Sequence, residues 1–175
     1  MIRVGPRTVQ EYPAFIMSEP TRPKPEPLSP EQHRALGVEY FNAVWNLLDA
    51  PARTASDDLT MIHLAHASRH HWAHAAGATA VNLVRGEWQV ARVYAVVGRA
   101  EPARFHGERC LELCVASGIT GFDLAYAHEA LARAAQVAGD GEAVGRHLAL
   151  ARAASASVPA EDLTHLLADL EELEG

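Results

Sequence analysis

The sequence predicts an all-α chain built as a stack of antiparallel helix hairpins, and three observations carry that prediction. One hairpin-sized pattern is written twice. Gly98 and Gly139 stand 41 residues apart, and at that shift Leu83 aligns with Leu124, Ala91 with Ala132, Arg92 with Arg133, Val96 with Val137, Glu101 with Glu142 and His106 with His147. A repeat of this length is the signature of stacked helix pairs, each unable to bury its apolar face alone. Apolar residues recur at the helical period between Gly and Pro stops, the links are short, and no stretch reads convincingly as a strand. The hydrophobic fraction of 49% is rich in alanine, which suits closely packed helices rather than a thick core of large side chains.

Taken in order, residues 1–29 read as a Pro-rich tail and residues 30–175 as the helical domain. Pro20, Pro23, Pro25, Pro27 and Pro30 impose an extended or polyproline-like backbone with few ladder donors. Met17 is an alternative start, and Ile2–Val4 and Phe15–Met17 are segments able to pin the tail to the helical body. Ser29-Pro30-Glu31-Gln32 is a helix start, with a capping serine, proline at the first position and glutamine at the third. The first helix then runs to about Asp49, with Leu36, Tyr40, Val44, Leu47 and Leu48 on its apolar stripe and Pro51 beyond its end. Ser56 is the expected cap of a second helix from about Asp57 to Ala76, stopped by Gly77. The third covers about Ala80 to Val97, the fourth about Glu101 to Ala116, the fifth about Phe122 to Ala138 and the sixth about Gly141 to Ser155. Beyond Pro159 a seventh, from Ala160 to Leu173, caps the stack. Glu171, Glu172 and Glu174 oppose its dipole, so fraying is expected there.

The net charge of −7 argues against a protein that grips nucleic acid through its overall field. No apolar run reaches the roughly 18 residues needed to span a bilayer, and the N-terminus lacks a secretory signal pattern. The expectation is a soluble, cytoplasmic protein. Cys110 and Cys114 are the only cysteines. Their i,i+4 spacing suits two buried small hydrophobes better than a disulfide.

The hairpin from Ala80 to Ala116 resembles the tetratricopeptide repeat (TPR). Val90-Ala91 takes the Leu-Gly slot of the family pattern, Tyr94 the Tyr slot and Ala103 the Ala slot. The second copy offers Leu131-Ala132, Ala135, Val144 and Leu148. Trp88 lies one position late for the family tryptophan, Gly107 stands where a large residue is usual, and no proline closes either copy. The period is also 41 residues rather than about 34. The hairpin before them matches by architecture only. The chain is similar to small bacterial proteins built on this repeat. The resemblance implies a right-handed α-α superhelix of about three hairpins plus a capping helix, and a concave groove that holds a peptide or protein segment.

Two surfaces are candidates for function. At about 100° per residue, Arg85, Trp88 and Arg92 share one stripe of the third helix, opposite Leu83, Val90, Tyr94 and Val97. The repeat carries that stripe onto Tyr126, Glu129 and Arg133 of the fifth helix, with Asn82 and Asp123 at matching positions beside them. Guanidinium groups grip carboxylate or phosphate in a fork and stack on aromatic faces. This groove suits a peptide, a protein segment or a small anionic ligand, and needs no cofactor. The competing expectation is that Arg92, Glu129 and Arg133 merely pair with one another, as a solvated network of little energetic weight.

The second surface is a histidine ladder. His63, His66, His70 and His74 fall within about an 80° arc of the second helix, and the i,i+4 pairs have the spacing with which two imidazoles bind one Zn, Ni or Cu ion. A full site needs another ligand, for which His33, Asp58 and Glu129 are candidates. The ladder alternatively reads as a histidine-rich polar face, or as a pH sensor whose charges repel near pH 6.

No catalytic constellation emerges. His128-Glu129 begins the H-E-x-x-H pattern, but Ala132 stands where the second histidine belongs. Gly139, Gly141 and Gly145 imitate a dinucleotide loop with the wrong spacing and no preceding strand. Ser68 beside His71 lacks an orienting acid. The sequence therefore favours a non-enzymatic binding module, with a metal-binding protein or metal-dependent enzyme on the histidine ladder as the alternative. Self-assembly into a homo-oligomer is a third reading.

Overall fold

The computed structural model describes residues 27–156 and 158–174. The expectations for the tail before residue 27 lie outside the described residues. Seven α-helices lie among the described residues: α1 (Pro30–Leu48), α2 (Ala55–Trp72), α3 (Ala80–Val96), α4 (Ala100–Ser117), α5 (Phe122–Ala138), α6 (Gly141–Ser155) and α7 (Thr164–Glu174). A 3-10 turn at Ala160–Asp162 precedes α7, and there is no strand among the described residues. The all-α class is as predicted.

α1 starts on the expected capping box: Ser29 Oγ accepts from the Gln32 N–H at 3.2 Å, and Gln32 Oε1 accepts from the Ser29 N–H at 2.7 Å. α2 starts earlier than Ser56 suggests. Thr54 is its cap, accepting from the Asp57 N–H at 3.2 Å while Asp57 Oδ2 accepts from the Thr54 N–H at 2.8 Å. The reciprocal pair satisfies two orphan donors, which a lone serine inside the first turn cannot match. α2 also stops at Trp72 rather than Ala76. The Ala76 N–H donates instead to the Pro30 carbonyl at 2.9 Å, and Arg34 reaches the Ala76 carbonyl at 3.2 Å. The backbone that would have continued α2 is thus tied to the start of α1.

α5 and α6 begin and end where expected, because the punctuation there is unambiguous. Gly139 closes α5 at φ +74°, a conformation that costs other residues about 1–2 kcal/mol. The Asp140 N–H then returns to the Ala135 carbonyl at 3.0 Å. The seventh helix is shorter than predicted, since residues 160–162 form the 3-10 turn and the α-helix begins at Thr164.

Each helix from α1 to α6 packs against its chain neighbours, α3 also meets α5 directly, and α7 returns onto α5. Val44, Met61, Ala65, Val90 and Val93 fill the space among α1, α2 and α3. Trp88, Ala91, Cys110, Cys114 and Ala127 fill that among α3, α4 and α5. Both cysteines are buried free thiols, as their spacing suggested.

Gly107 sits at a close approach of two helices. A Cβ there would lie 2.9 Å from Leu131 Cδ2, so α4 and α5 touch through the missing side chain. Leu166, Leu170 and Leu173 of α7 are buried against α5 and α6, each contributing about 1.5–3 kcal/mol by removal from water. The acidic end of α7 does not hang free as expected: Glu172 meets Arg133 at 2.9 Å and Glu174 meets Arg152 at 2.6 Å. These pairs supply cations that the helix itself lacks. No helix among the described residues is long and apolar enough to cross a membrane.

Candidate functional site

The two predicted stripes of α3 and α5 do come together, and their side chains meet one another first. Glu129 is fully buried (0% exposed) and accepts from the Trp88 indole N–H at 2.9 Å, from Arg92 at 3.3 Å and from Arg133. All three partners are donors, so the carboxylate form suits the site; a protonated carboxyl would aim its O–H at no acceptor. Burial pushes the Glu129 carboxyl above its ordinary range, with Arg133, Arg92 and the indole pulling the other way. For Arg133 burial opposes the charge, yet Glu129 and Glu172 outweigh it and hold the guanidinium above its usual value.

The expected solvated network is therefore a buried one. Isolated ions inside protein are costly and persist only when paired and hydrogen-bonded, and this cluster meets both conditions.

α7 completes it. Asp169 takes Arg92 and Arg133 at 3.0 Å each and accepts from the Tyr126 hydroxyl at 3.2 Å. Burial first, then Asp169 and Glu129, raise the Tyr126 phenol well above its ordinary value, so it remains a neutral donor. Arg92 also lies 5.8 Å from the centroids of both Trp45 and Trp88, within cation–π range. Arg85 makes a forked pair with Asp123 at 2.7 and 3.3 Å, on an exposed rim. Asn82 stands apart from the cavity: its side-chain oxygen accepts from the Thr79 N–H at 2.9 Å at the start of α3.

Above this network lies a cavity of about 560 Å³. Its walls are Phe41 and Trp45 of α1, Val84 and Trp88 of α3, Phe122 and Tyr126 of α5, and Ala168 of α7, with Asp49, Arg85, Arg92, Asp123, His165 and Asp169 among them. The size, and a lining that sets five large aromatics among charged groups, are those of a pocket for a small ligand or for a few side chains of a peptide. Sequence reasoning missed the contributions of α1 and α7. Trp45 carried a usable signal, a large aromatic outside the apolar stripe assigned to the first helix. Asp169 carried none, since a carboxylate in an acidic run reads as solvated.

The histidine ladder divides. His63 is exposed. His66 turns to Tyr94, with Nε2 2.9 Å from the phenol oxygen, and faces His106 at a centroid distance of 5.2 Å. Burial and then His106 push its pKa down. His106 in turn meets Glu87 at 2.7 Å, and Glu87 also pairs with Arg69 at 2.9 Å. His70 and His74 instead face His33 of α1, one of the named additional-ligand candidates, and His71 contacts His33 through the two Nδ1 atoms at 2.9 Å. As they stand, no three His, Cys, Asp or Glu side chains among the described residues form a group that could hold a metal ion. A further imidazole contact, His128 Nδ1 to His147 Nδ1 at 3.3 Å, joins α5 to α6.

No protein-family model, curated protein or solved structure matches the chain.

Proposed function

We propose that the chain is a non-enzymatic binding module, a TPR-like superhelix of hairpins whose cavity takes an apolar stretch of a peptide or protein segment. The observation that carries this reading is the cavity of about 560 Å³ walled by Phe41, Trp45, Trp88, Phe122 and Tyr126. Large aromatics bury much area at small entropic cost and dominate recognition surfaces.

Among the ligands suggested by the sequence, an apolar segment is better supported than a small anion. Arg92 and Arg133 are already engaged by Glu129 and Asp169, and Arg85 by Asp123. An anion would have to displace covalently tethered carboxylates. The guanidiniums then act as a rigid floor that holds Trp88 and Tyr126 in place, and affinity comes from the aromatic walls.

The test is selection of binders from a random peptide library against the full chain, followed by titration with tryptophan fluorescence as the readout. Trp45 and Trp88 line the cavity, so a bound segment should shift their emission. Ala168 is exposed at the cavity wall, and Ala168→Trp should fill the space without touching the core. Selected peptides with apolar residues that lose at least tenfold in affinity for Ala168→Trp support the proposal. Peptides that bind the filled variant equally well would refute it.

A further inference from the structure

We propose that His33, His70 and His74 bind one divalent transition-metal ion across the seam between α1 and α2, with His71 holding His33 in position. The site is distinct from the aromatic cavity, and it is not the ladder that the sequence suggested. Two of the four ladder members, His63 and His66, take no part.

The spacing of the rings is the first observation. With a metal–nitrogen bond of about 2.0–2.1 Å and a ring centre a little over 1 Å behind the nitrogen, two imidazoles at the tetrahedral angle put their centroids about 5.2 Å apart. The separations are 5.2 Å for His33 and His74 and 4.9 Å for His70 and His74. His33 and His70, at 6.3 Å, exceed the ideal by about 1 Å. The ring nitrogens do not yet converge. His70 and His74 are exposed, however, and exposed side chains change rotamer in nanoseconds or less. Rotation of the His70 and His74 side chains is the motion through which the site would close.

The second observation is the contact beneath the ligands. His33 Nδ1 and His71 Nδ1 lie 2.9 Å apart, so one ring donates and the other accepts. That contact leaves His33 Nε2 free to face an ion. A metal-bound histidine donates its second ring N–H, so His33 Nδ1 would be the donor and His71 Nδ1 the acceptor, a partner that fixes both tautomer and ring orientation.

Third, the imidazoles come from two helices already packed together, and the backbone beneath them is tied by the Ala76 N–H to the Pro30 carbonyl at 2.9 Å. A set drawn from both helices is more selective than an i,i+4 pair on one, which captures ions weakly wherever it occurs. Three neutral imidazoles with no carboxylate favour zinc, nickel or copper over magnesium or calcium.

The experiment uses the full chain without a polyhistidine tag, freed of metal by a chelator and titrated at pH 7.5 with Zn²⁺ and with Ni²⁺ by calorimetry. The expected result is one ion per chain with submicromolar affinity. That affinity should fall at least tenfold in His33→Ala and in His70→Ala, and be retained in the double variant His63→Ala/His66→Ala. Zn²⁺ should also raise the Tm of the wild type and leave that of folded His33→Ala unmoved, a check independent of the calorimetric fit. Uptake of several ions at micromolar or weaker affinity, or binding that survives His33→Ala, would show a merely histidine-rich surface and overturn the proposal. Loss of binding in the His63/His66 variant with retention in His33→Ala would overturn it too, in favour of the single-helix ladder.

Discussion

Replacing Glu129 by glutamine is the most direct test of whether the charged cluster under the cavity is a buried structural element. The substitution keeps shape and volume and changes only charge and hydrogen-bond polarity. In the wild type both carboxylate oxygens accept, from the Trp88 indole, Arg92 and Arg133. A carboxamide has a single acceptor oxygen, so its NH2 must face at least one of those donors. At least one charge-assisted bond is lost, worth about 1.5–3 kcal/mol, and a donor is set against a donor. Breaking a buried ion pair by removing one partner costs about 3–5 kcal/mol in general. Here Arg92 and Arg133 keep Asp169, and Arg133 keeps Glu172, which places the expected loss near the lower end, about 3 kcal/mol. For a chain of this length that corresponds to a Tm lower by about 6–12 °C. The assay is urea unfolding followed by far-UV circular dichroism and by tryptophan fluorescence, wild type against Glu129→Gln. A loss below about 1 kcal/mol with an unchanged m value would show the cluster behaving as a solvated surface network, and the structural argument for a rigid floor would fail.

Three further outcomes are expected. Gly107→Ala should destabilise by about 1–3 kcal/mol in the same urea assay, because its Cβ meets Leu131 at 2.9 Å in a packed interface; a neutral or stabilising result would mean that Leu131 yields freely. Arg85→Ala should cost less than about 1 kcal/mol, since the pair with Asp123 is on an exposed rim with the arginine side chain 53% exposed. Stability should fall as the pH drops below about 6.5, the usual histidine value. Burial, and then neighbouring imidazoles, hold His66, His71 and His128 below that value in the folded chain. His147 is lowered by burial and then by Arg146. The unfolded chain then binds more protons than the folded one, so this stability is complete above the unfolded pKa and is lost as pH falls through the folded values. His71 faces His33, His70, His74 and Tyr40, none of which offers a negative charge. Denaturation midpoints at pH 7.5 and 5.5 measure the slope, which should be shallower in His128→Gln/His147→Gln; an unchanged slope would remove that pair from the account.

Local chemistry makes most of the helices legible. Ser29 and Gln32 announce α1, Gly139 closes α5, and the 41-residue shift by itself puts Arg92 and Arg133 at equivalent places on neighbouring helices. The start of α2 is written just as locally, because Thr54 with Asp57 three residues on is a capping signature that outweighs Ser56. The early end of α2 is not readable in this way, since it depends on a bond from Ala76 to Pro30, on another helix.

The same limit applies to the site. A helical wheel separates polar from apolar faces of α3 but cannot show that Glu129 and Trp88, both on the polar side, are covered. Residues 86–91 of α3 are all buried, because α2, α4 and α5 pack around the helix and α1 meets it through Phe41 and Val44. His33 is a ligand candidate by residue type, yet its meeting with His71 across 38 positions of chain is beyond any spacing rule.

The return of α7 onto α5 gives the groove its net negative charge. Without its 11 residues, Arg85 would remain matched by Asp123, while Arg92 and Arg133 would share the single carboxylate of Glu129. With Asp49 also on the cavity wall, the three guanidiniums would face three carboxylates, a formally neutral lining. Asp169 and Glu172 add two negative charges and tip that balance to negative. The last helix thus carries the groove's repulsion toward anions, and a chain ending at Ser155 would present the same aromatic walls without it.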